Sequence, residues 1–422
     1  MLEFETTSGR KYLYNRLDNR ISLLNKTHEH QVNPIVSFHK LRDEYNTESI
    51  TMYTIEMTQQ CNLRCTYCCY SGLYHDRRAH NEKEISWEIL EETIRFIDKT
   101  HDKQSEFTVC FYGGEALLAK EKMRWIVDNL YKKYGNQIIF SLSTNGLSLS
   151  IDTIDWICSY PQFYVNVSID GNKELHDSFR KTINGKGSFD IIHKNLENFK
   201  LCRQDDYFNR VRFLSTVGSF NNVRFISECW NADEILNHTR PVRISHLIPN
   251  FDDNTRQYDT FEDKDRFYSD ALKQYIKGEK NVSVDALQRI VAIIENRTFY
   301  DLPHSQAVKT CLNEMYTCFI NVEGLLYACE KFCGESSIGH VSSGFNLSKM
   351  NQLYYKLIER KNTHCTDCWA SRLCRMCLTS LNFQDKDIPK LCQMEKDTLK
   401  LALKYYCEIK EYESVNKKTI KK

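Results

Sequence analysis

The stretch Cys61-Asn62-Leu63-Arg64-Cys65-Thr66-Tyr67-Cys68 limits what this chain can become more than any other. It sets three thiols at spacings of four and three in a polar loop. The preceding Met52-Tyr53-Thr54-Ile55-Glu56-Met57-Thr58 alternates enough to read as a strand. Thiolates are soft ligands and hold iron–sulfur clusters. A 4Fe–4S cluster has four irons, so three cysteines leave one iron without a protein ligand. That iron can bind and polarise a substrate, by the logic of the open position in a catalytic zinc site. A zinc knuckle is the competing reading. Zinc wants a fourth close ligand, and Cys69 and His75 are at hand.

Other motifs follow the cysteines. Tyr112-Gly113-Gly114-Glu115 comes first, then Ser143-Thr144-Asn145-Gly146, then Ser168-Ile169-Asp170-Gly171. In this order, and with Tyr67 just before the last cysteine, they resemble the radical S-adenosylmethionine (SAM) superfamily. The resemblance covers roughly residues 51 to 400. Several motifs in order discriminate far better than one.

The chain has 422 residues, room for one large domain and a second. Lys plus Arg number 57 against 56 for Asp plus Glu, a net charge of +1. Nothing electrostatic therefore points to nucleic acid as a partner. There are 18 cysteines, yet the first residues, Met1-Leu2-Glu3-Phe4-Glu5-Thr6, hold no apolar signal core. The expectation is a cytoplasmic, reduced chain whose clustered cysteines are metal ligands, with no membrane span. The basic end, Lys417-Lys418-Thr419-Ile420-Lys421-Lys422, reads as a solvated tail.

Between residues 51 and 250 strands and helices alternate. Strands are expected at 52–58, 107–111, 137–143, 163–169, 210–217 and 241–248. Helices are expected at 86–99, 119–134, 150–158, 188–202 and 221–232. Repeated strand–helix units argue an α/β fold with a parallel sheet. The resemblance implies a partial (β/α)6 barrel. Every motif sits at the carboxyl end of a strand, where such sheets bind ligands. Residues 1–50 hold a short hairpin, a strand pair covering the barrel edge or a place for a peptide to add. Residues 251–304 read as a helical bridge, 305–400 as a cysteine-rich domain, and 401–422 as a helix end and tail.

Gly113 and Gly114 let the backbone approach a ligand closely, and Glu115 can accept from an ammonium. The resemblance implies that Gly113, Gly114 and Glu115 bind the amino group of SAM. It implies that Ser168 and Arg180 contact SAM, Arg180 as a carboxylate fork, with Asn145 and Tyr67 beside them. Cys110, Cys158, Cys202 and Cys229 fall in strand or helix patterns and read as core.

Downstream, Cys311, Cys318 and Cys329 flank Gly324. Cys365, Cys368, Cys374, Cys377 and Cys392 follow. The pattern resembles the SPASM extension of peptide-modifying radical SAM enzymes, which binds two further 4Fe–4S clusters. By that resemblance Cys365, Cys368, Cys374 and Cys392 hold the outer cluster. Cys311, Cys329 and Cys377 hold the inner one, with Cys318 or Cys333 as fourth ligand or that position left open. The two-residue gap between Cys374 and Cys377 departs from the usual three. A zinc ribbon is the bland alternative. Glu330, next to Cys329, is a candidate general base or a charge tuning the neighbouring cluster.

The resemblance implies reductive cleavage of SAM by the first cluster, with three 4Fe–4S clusters in all. It implies a ribosomally made precursor peptide as substrate and a flavodoxin or ferredoxin as electron donor. A thioether or carbon–carbon crosslink is the expected product. The alternatives are an anaerobic sulfatase maturase forming formylglycine, and a non-catalytic iron–sulfur or zinc-stapled binding protein.

Overall fold

The computed structural model describes residues 1–24, 36–72, 74, 78–247, 249–253, 258–299, 301 and 303–419, with side chains to residue 415. His75 lies outside them, as do the last residues of the basic tail. The chain forms two compact units. One, the barrel unit, is Arg42–Arg256 with Thr310–Leu353. The other, the helical unit, is Met1–Leu41, Gln257–Lys309 and Tyr354–Lys422. Residues 310–353, read from sequence with the cysteine-rich domain, thus belong to the barrel unit.

In chain order the helical unit opens with β1 (Leu2–Glu5), β2 (Lys11–Asn15), β3 (Arg20–Leu23) and β4 (Ser37–Lys40). The barrel unit follows with β5 (Met52–Thr58), α1 (Trp87–Thr100), β6 (Phe107–Gly113), α2 (Lys120–Tyr134), β7 (Ile138–Thr144), α3 (Ile151–Cys158) and β8 (Phe163–Ser168). It continues through α4 (Lys173–Phe179), α5 (Phe189–Cys202), α6 (Gln204–Arg210), β9 (Val211–Val217), α7 (Phe220–Ala232) and β10 (Arg243–His246). Next come α8 (Phe261–Ile276), α9 (Val282–Glu295) and β11 (Ser305–Val308), then β12 (Thr317–Ile320), β13 (Leu325–Tyr327), β14 (Gly339–His340) and β15 (Gly344–Phe345). α10 (Leu347–His364) and α11 (Ile388–Thr419) close the chain.

All six strands and five helices expected between 51 and 250 are present. The expected end of the last strand, residue 248, lies outside the described residues. The short helices α4 and α6 were not anticipated. Seven residues are too few for a periodic pattern to show. Nor was α11 expected to begin at Ile388, inside the cysteine-dense stretch.

The barrel unit is built on one sheet of order β10-β9-β8-β7-β6-β5-β12-β13-β14-β15. Neighbours from β10 to β12 are parallel, and β12 to β15 are antiparallel. The parallel part is a partial barrel carrying helices outside. Its helices start on side-chain caps: Ser86, Ser150 and Asn172 each accept a backbone N–H three residues on. Ser219 and Asn222 close a reciprocal pair at the start of α7.

The strands alternate with period two. Phe107, Val109 and Phe111 of β6, Ile138, Phe140 and Leu142 of β7, and Phe163, Val165 and Val167 of β8 are all buried. The intervening Thr108, Cys110, Tyr112, Ser141, Ser143, Asn166 and Ser168 are half-buried. Parallel strands covered on both faces are usually apolar throughout. Here one face packs on helices while the other is polar, with Asn166 Nδ2 donating to Ser141 Oγ at 2.9 Å. Cys110 belongs to this polar face rather than to the core. Cys202, at the end of α5, is exposed, and Cys158 and Cys229 are half-buried.

In the helical unit, β1, β2 and β3 form an antiparallel sheet that includes the expected hairpin. Its packing braces the C-terminal cysteines of the same unit. Fully buried Arg16 donates from Nη1 to the carbonyls of Thr366 and Cys368 at 2.8 and 3.0 Å. Arg372 returns two bonds to the Arg16 and Leu17 carbonyls. Thr7 and Tyr12 anchor the sheet to Glu408 and Glu411 of α11.

The glycines after β6 face protein, not only ligand space. A Cβ on Gly114 would stand 2.1 Å from the Gln60 carbonyl oxygen, and one on Gly113 would stand 2.3 Å from that of Thr58. Gly113 also has φ +146°. Their absent side chains let Gly114 N and Glu115 N donate to the Thr58 and Gln60 carbonyls, pinning the residues just before Cys61. Gly114→Ala should therefore destabilise the barrel by about 2 kcal/mol or more. A chemical-denaturation midpoint equal to wild type would refute that.

Candidate functional site

The carboxyl ends of the barrel strands enclose a cavity of about 280 Å³. Cys61, Cys65 and Cys68 all line it, together with Gly113, Gly114, Glu115, Asn145, Ser168, Arg180, Tyr67 and Glu330. Every residue that the sequence assigned to SAM or to the first cluster is thus in one place. Backbone N–H groups of Leu63 and Tyr70 donate to the Cys61 and Cys68 sulfurs at 3.4 Å. Such bonds stabilise thiolates and tune cluster potentials. Burial pushes the Cys61 thiol up to about 11 and the Cys68 thiol up to about 12, and raises Cys65 as well. A bound cation reverses that preference outright. A four-iron core carries each thiolate on a different iron and needs thiols around a common space. This loop supplies them, so the residues fit the group. Among the described residues no three His, Cys, Asp or Glu side chains converge on a single-ion site.

Asp170, fully buried behind Ser168, gathers the site. Its Oδ2 accepts from Tyr67 Oη and from Arg180 Nε at 2.7 Å, and its Oδ1 accepts from Thr216 N at 2.8 Å. A tyrosine of the cysteine loop, the end of β8, the end of β9 and the residue after α4 meet on one carboxylate. His176 completes the frame. Asp170 N donates to His176 Nδ1 at 3.3 Å, His176 Nε2 lies 3.0 Å from Ser188 Oγ, and Ser188 Oγ donates to the Arg180 carbonyl. Nδ1 must accept and Nε2 must carry the proton, so the ring is neutral. Asp177 accepts from the Ser188 and Phe189 amides and starts α5.

Glu115 accepts three bonds from its own chain, from Leu117 N, Thr144 Oγ1 and Asn145 N. Burial raises its carboxyl, against the pull of these donors. Its first task is to lock the ends of β6 and β7 together, and it shares the cavity wall while doing so. Asn145 Nδ2 binds Asn62 Oδ1 at 2.7 Å and lies 3.9 Å from the Cys61 sulfur. On the opposite wall, Tyr70 Oη donates to the Glu330 carbonyl at 3.0 Å.

Comparison with known proteins decides what this cavity belongs to. Residues 55–211 match the family model described as the Radical SAM superfamily. The chain carries a radical SAM domain. The domain makes the chain an enzyme and implies SAM and a 4Fe–4S cluster as cofactors. The chain is 26% identical over 353 residues to the cysteine-type anaerobic sulfatase-maturating enzyme of Clostridium novyi (strain NT), covering 78% of this chain and 87% of that one. It is 24% identical to the mycofactocin maturase MftC of Mycolicibacterium smegmatis (strain ATCC 700084 / mc(2)155), covering 76% of each. Its fold matches native anSMEcpe with bound AdoMet and Cp18Cys peptide, with a TM-score of 0.62 at 18% identity over 86% of this chain and 99% of that one. Among the described residues no helix is long and apolar enough to cross a membrane.

Beyond the radical SAM domain, four thiols meet in the helical unit. Cys365, Cys368, Cys374 and Cys392 line one small cavity of about 30 Å³, with Lys361 and Lys396 at its rim. Burial raises Cys365 and Cys392, and the two lysines oppose it. Met376 N donates to the Cys374 sulfur at 3.4 Å. In the barrel unit burial pushes the Cys329 thiol up to about 12, with Glu330 and Cys311 adding to it. Cys318 does not join them. It is 1% exposed in β12, opposite Tyr53 of β5, and burial alone raises its thiol. The strand alternation turns it into the apolar core, which spacing in sequence does not show. Cys333 acts on the Tyr327 hydroxyl. Cys377 belongs to the helical unit and is exposed.

The sequence reading missed several cavity residues. His80 sits with Nε2 3.5 Å from the Cys68 sulfur, in an irregular stretch without a motif. Cys69, left without a role, lines the cavity, as do Lys331, Arg243 and His246. Arg243 could have been found by continuing the polar alternation onto the last strand. It stands in register with Leu214 and, one strand further, with Ser168.

Burial, and then the Arg180 charge, hold His176 down to about 4. The unfolded chain takes up that proton near pH 6.5, so His176 contributes stability above about pH 6.5 that is lost as the pH falls towards 4, at most about 3 kcal/mol. The loss of denaturation free energy between about pH 7.5 and about pH 5 should be larger in wild type than in His176→Gln. Equal losses would remove His176 from this account.

Proposed function

We propose that the protein cleaves SAM and uses the resulting radical to modify a ribosomally made precursor peptide oxidatively, closing a thioether or carbon–carbon crosslink. Cys61, Cys65 and Cys68 would hold the SAM-binding cluster, which would supply the electron for reductive cleavage of SAM and so a radical able to take hydrogen from the peptide. One observation carries this reading. The three thiols, the SAM motifs and Glu330 share a single cavity.

The chain's own groups then have defined tasks. Arg180 spends Nε on Asp170 and keeps its terminal nitrogens for the SAM carboxylate, with Ser168 beside it. Gly113, Gly114 and Glu115 form the wall against the methionine amine. Asn145 and Tyr67 set the cysteine loop against that wall. Closure of the cavity by substrate excludes water from the reacting atoms. Glu330, at the cavity wall, is placed to take a proton from the substrate as its second electron leaves.

Cys365, Cys368, Cys374 and Cys392 hold an outer auxiliary cluster, and Lys361 and Lys396 offset its negative charge. Cys311 and Cys329 are assigned to an inner one, with Cys333 in place of Cys318 as a further thiol. The soluble partners in this reading are the precursor peptide and a low-potential electron donor in the cytoplasm.

A second reading is formylglycine formation on a sulfatase. Its support is that the anaerobic sulfatase-maturating enzyme of Clostridium novyi (strain NT) aligns along 78% of the chain. Mass spectrometry of a co-expressed candidate separates the two. A crosslink removes two hydrogens from the peptide, whereas formylglycine from cysteine also removes the sulfur.

Anaerobically reconstituted protein should hold about twelve irons, and Cys61→Ala/Cys65→Ala/Cys68→Ala should lose about four of them. That variant should also lose all formation of 5′-deoxyadenosine. Cys365→Ala/Cys368→Ala/Cys374→Ala/Cys392→Ala should likewise lose about four irons, keep SAM cleavage and lose peptide modification. Zinc in place of iron, or SAM left intact by the reduced wild type, would end this reading.

A further inference from the structure

Arg180 begins a hairpin whose outer face the reaction above does not use. Lys181 pairs with Gly187, Thr182 N donates to the Lys186 carbonyl at 2.8 Å, and Gly185, at φ +77°, makes the turn. The hairpin is laid directly on the cysteine loop. Leu63 bridges to Thr182, Arg64 N donates to the Lys181 carbonyl at 2.7 Å, and Thr66 N donates to the Phe179 carbonyl at 3.0 Å. These last two bonds flank Cys65 on either side.

The outward side chains have one sign. Arg64, Lys181 and Lys186 are exposed, and Ile183 at the tip is 60% exposed. Arg64 donates to the carbonyls of Cys61 and Leu63. Among the described residues none of the three cations has an acidic partner. The nearby acids Asp177 and Asp190 are engaged by Lys173. A small apolar tip among unpaired cations suits a short-lived complex that charge steers and little area holds.

We propose that this face, Arg64, Lys181 and Lys186 around Ile183, docks an acidic one-electron carrier protein. The inference rests on Cys61, Cys65 and Cys68 being cluster ligands. The carrier loses one electron and the cluster gains it, with no bond made and no proton moved. On the proposed function SAM and peptide would occupy the cavity. Arg64, Lys181, Ile183 and Lys186 lie outside its lining, so a docked carrier would not compete with them for it.

The test compares two reductants on reconstituted full-length protein. The protein probe is a photoreduced flavodoxin, whose oxidation is followed by stopped flow. The small probe is dithionite, which needs no docking face. Lys181→Glu/Lys186→Glu should slow flavodoxin oxidation by on the order of tenfold or more at low ionic strength. Added salt should slow the wild type and leave the variant nearly unchanged. Lys181→Gln/Lys186→Gln should fall between them. Dithionite-driven 5′-deoxyadenosine formation should be the same in all three. Equal flavodoxin rates would overturn the proposal, and so would an equal loss with both reductants. A wild type that makes no 5′-deoxyadenosine with dithionite overturns the cluster assignment itself.

Discussion

A single buried carboxylate organises the catalytic end of this barrel. Asp170 takes one hydroxyl from the cysteine loop, one guanidinium from the residue after α4 and one amide from β9. An ionised carboxylate withdrawn from water is costly unless it is paired and fully bonded. Here the guanidinium pairs it and the two further donors complete it. The same stringency makes the arrangement specific. Moving the cysteine loop by a residue would strip Asp170 of Tyr67, and moving the hairpin would strip it of Arg180. The position of the three thiols relative to the strand ends is therefore set by electrostatics as much as by apolar packing.

The sequence showed much of this, for identifiable reasons. The strand ends were legible because β6, β7 and β8 alternate cleanly and because Gly113, Asn145 and Ser168 each close an apolar run. The three cysteines were legible because their spacing is local. What it could not show was long-range. Glu115 was read as a group for a ligand; it lines the cavity and also ties two strands together. Gly113 and Gly114 were read as room for SAM, and the atoms nearest their missing side chains are carbonyls of the preceding strand end. Cys318 was read as a ligand because the cysteine pattern resembles the SPASM extension, and the alternation of β12 turns it inward. Each of these placements depends on pairing with distant segments.

The helical unit shows the same dependence from another side. Residues 1–24 carry no motif, and they were read as a hairpin that covers the barrel edge or receives a peptide. Arg16 gives them a task within their own unit. Fully buried, it spends its guanidinium on the carbonyls of Thr366 and Cys368. A loop whose cysteine side chains point to a common space has few apolar residues of its own to hold it. The N-terminal sheet supplies the missing hydrogen-bond donors from more than three hundred residues away in sequence.

The two faces of the barrel strands divide their labour. The helix-facing rows, Phe107-Val109-Phe111 and their counterparts, are fully buried and fix the scaffold. The lumen rows are short, polar and only half-buried. Exchange of a residue in a lumen row perturbs neither the apolar layer nor the pairing of the strands. Selection can rewrite the inner surface, and with it the substrates the chamber admits, at little cost to folding, so sequence drift in such a protein should collect on every second residue of each strand.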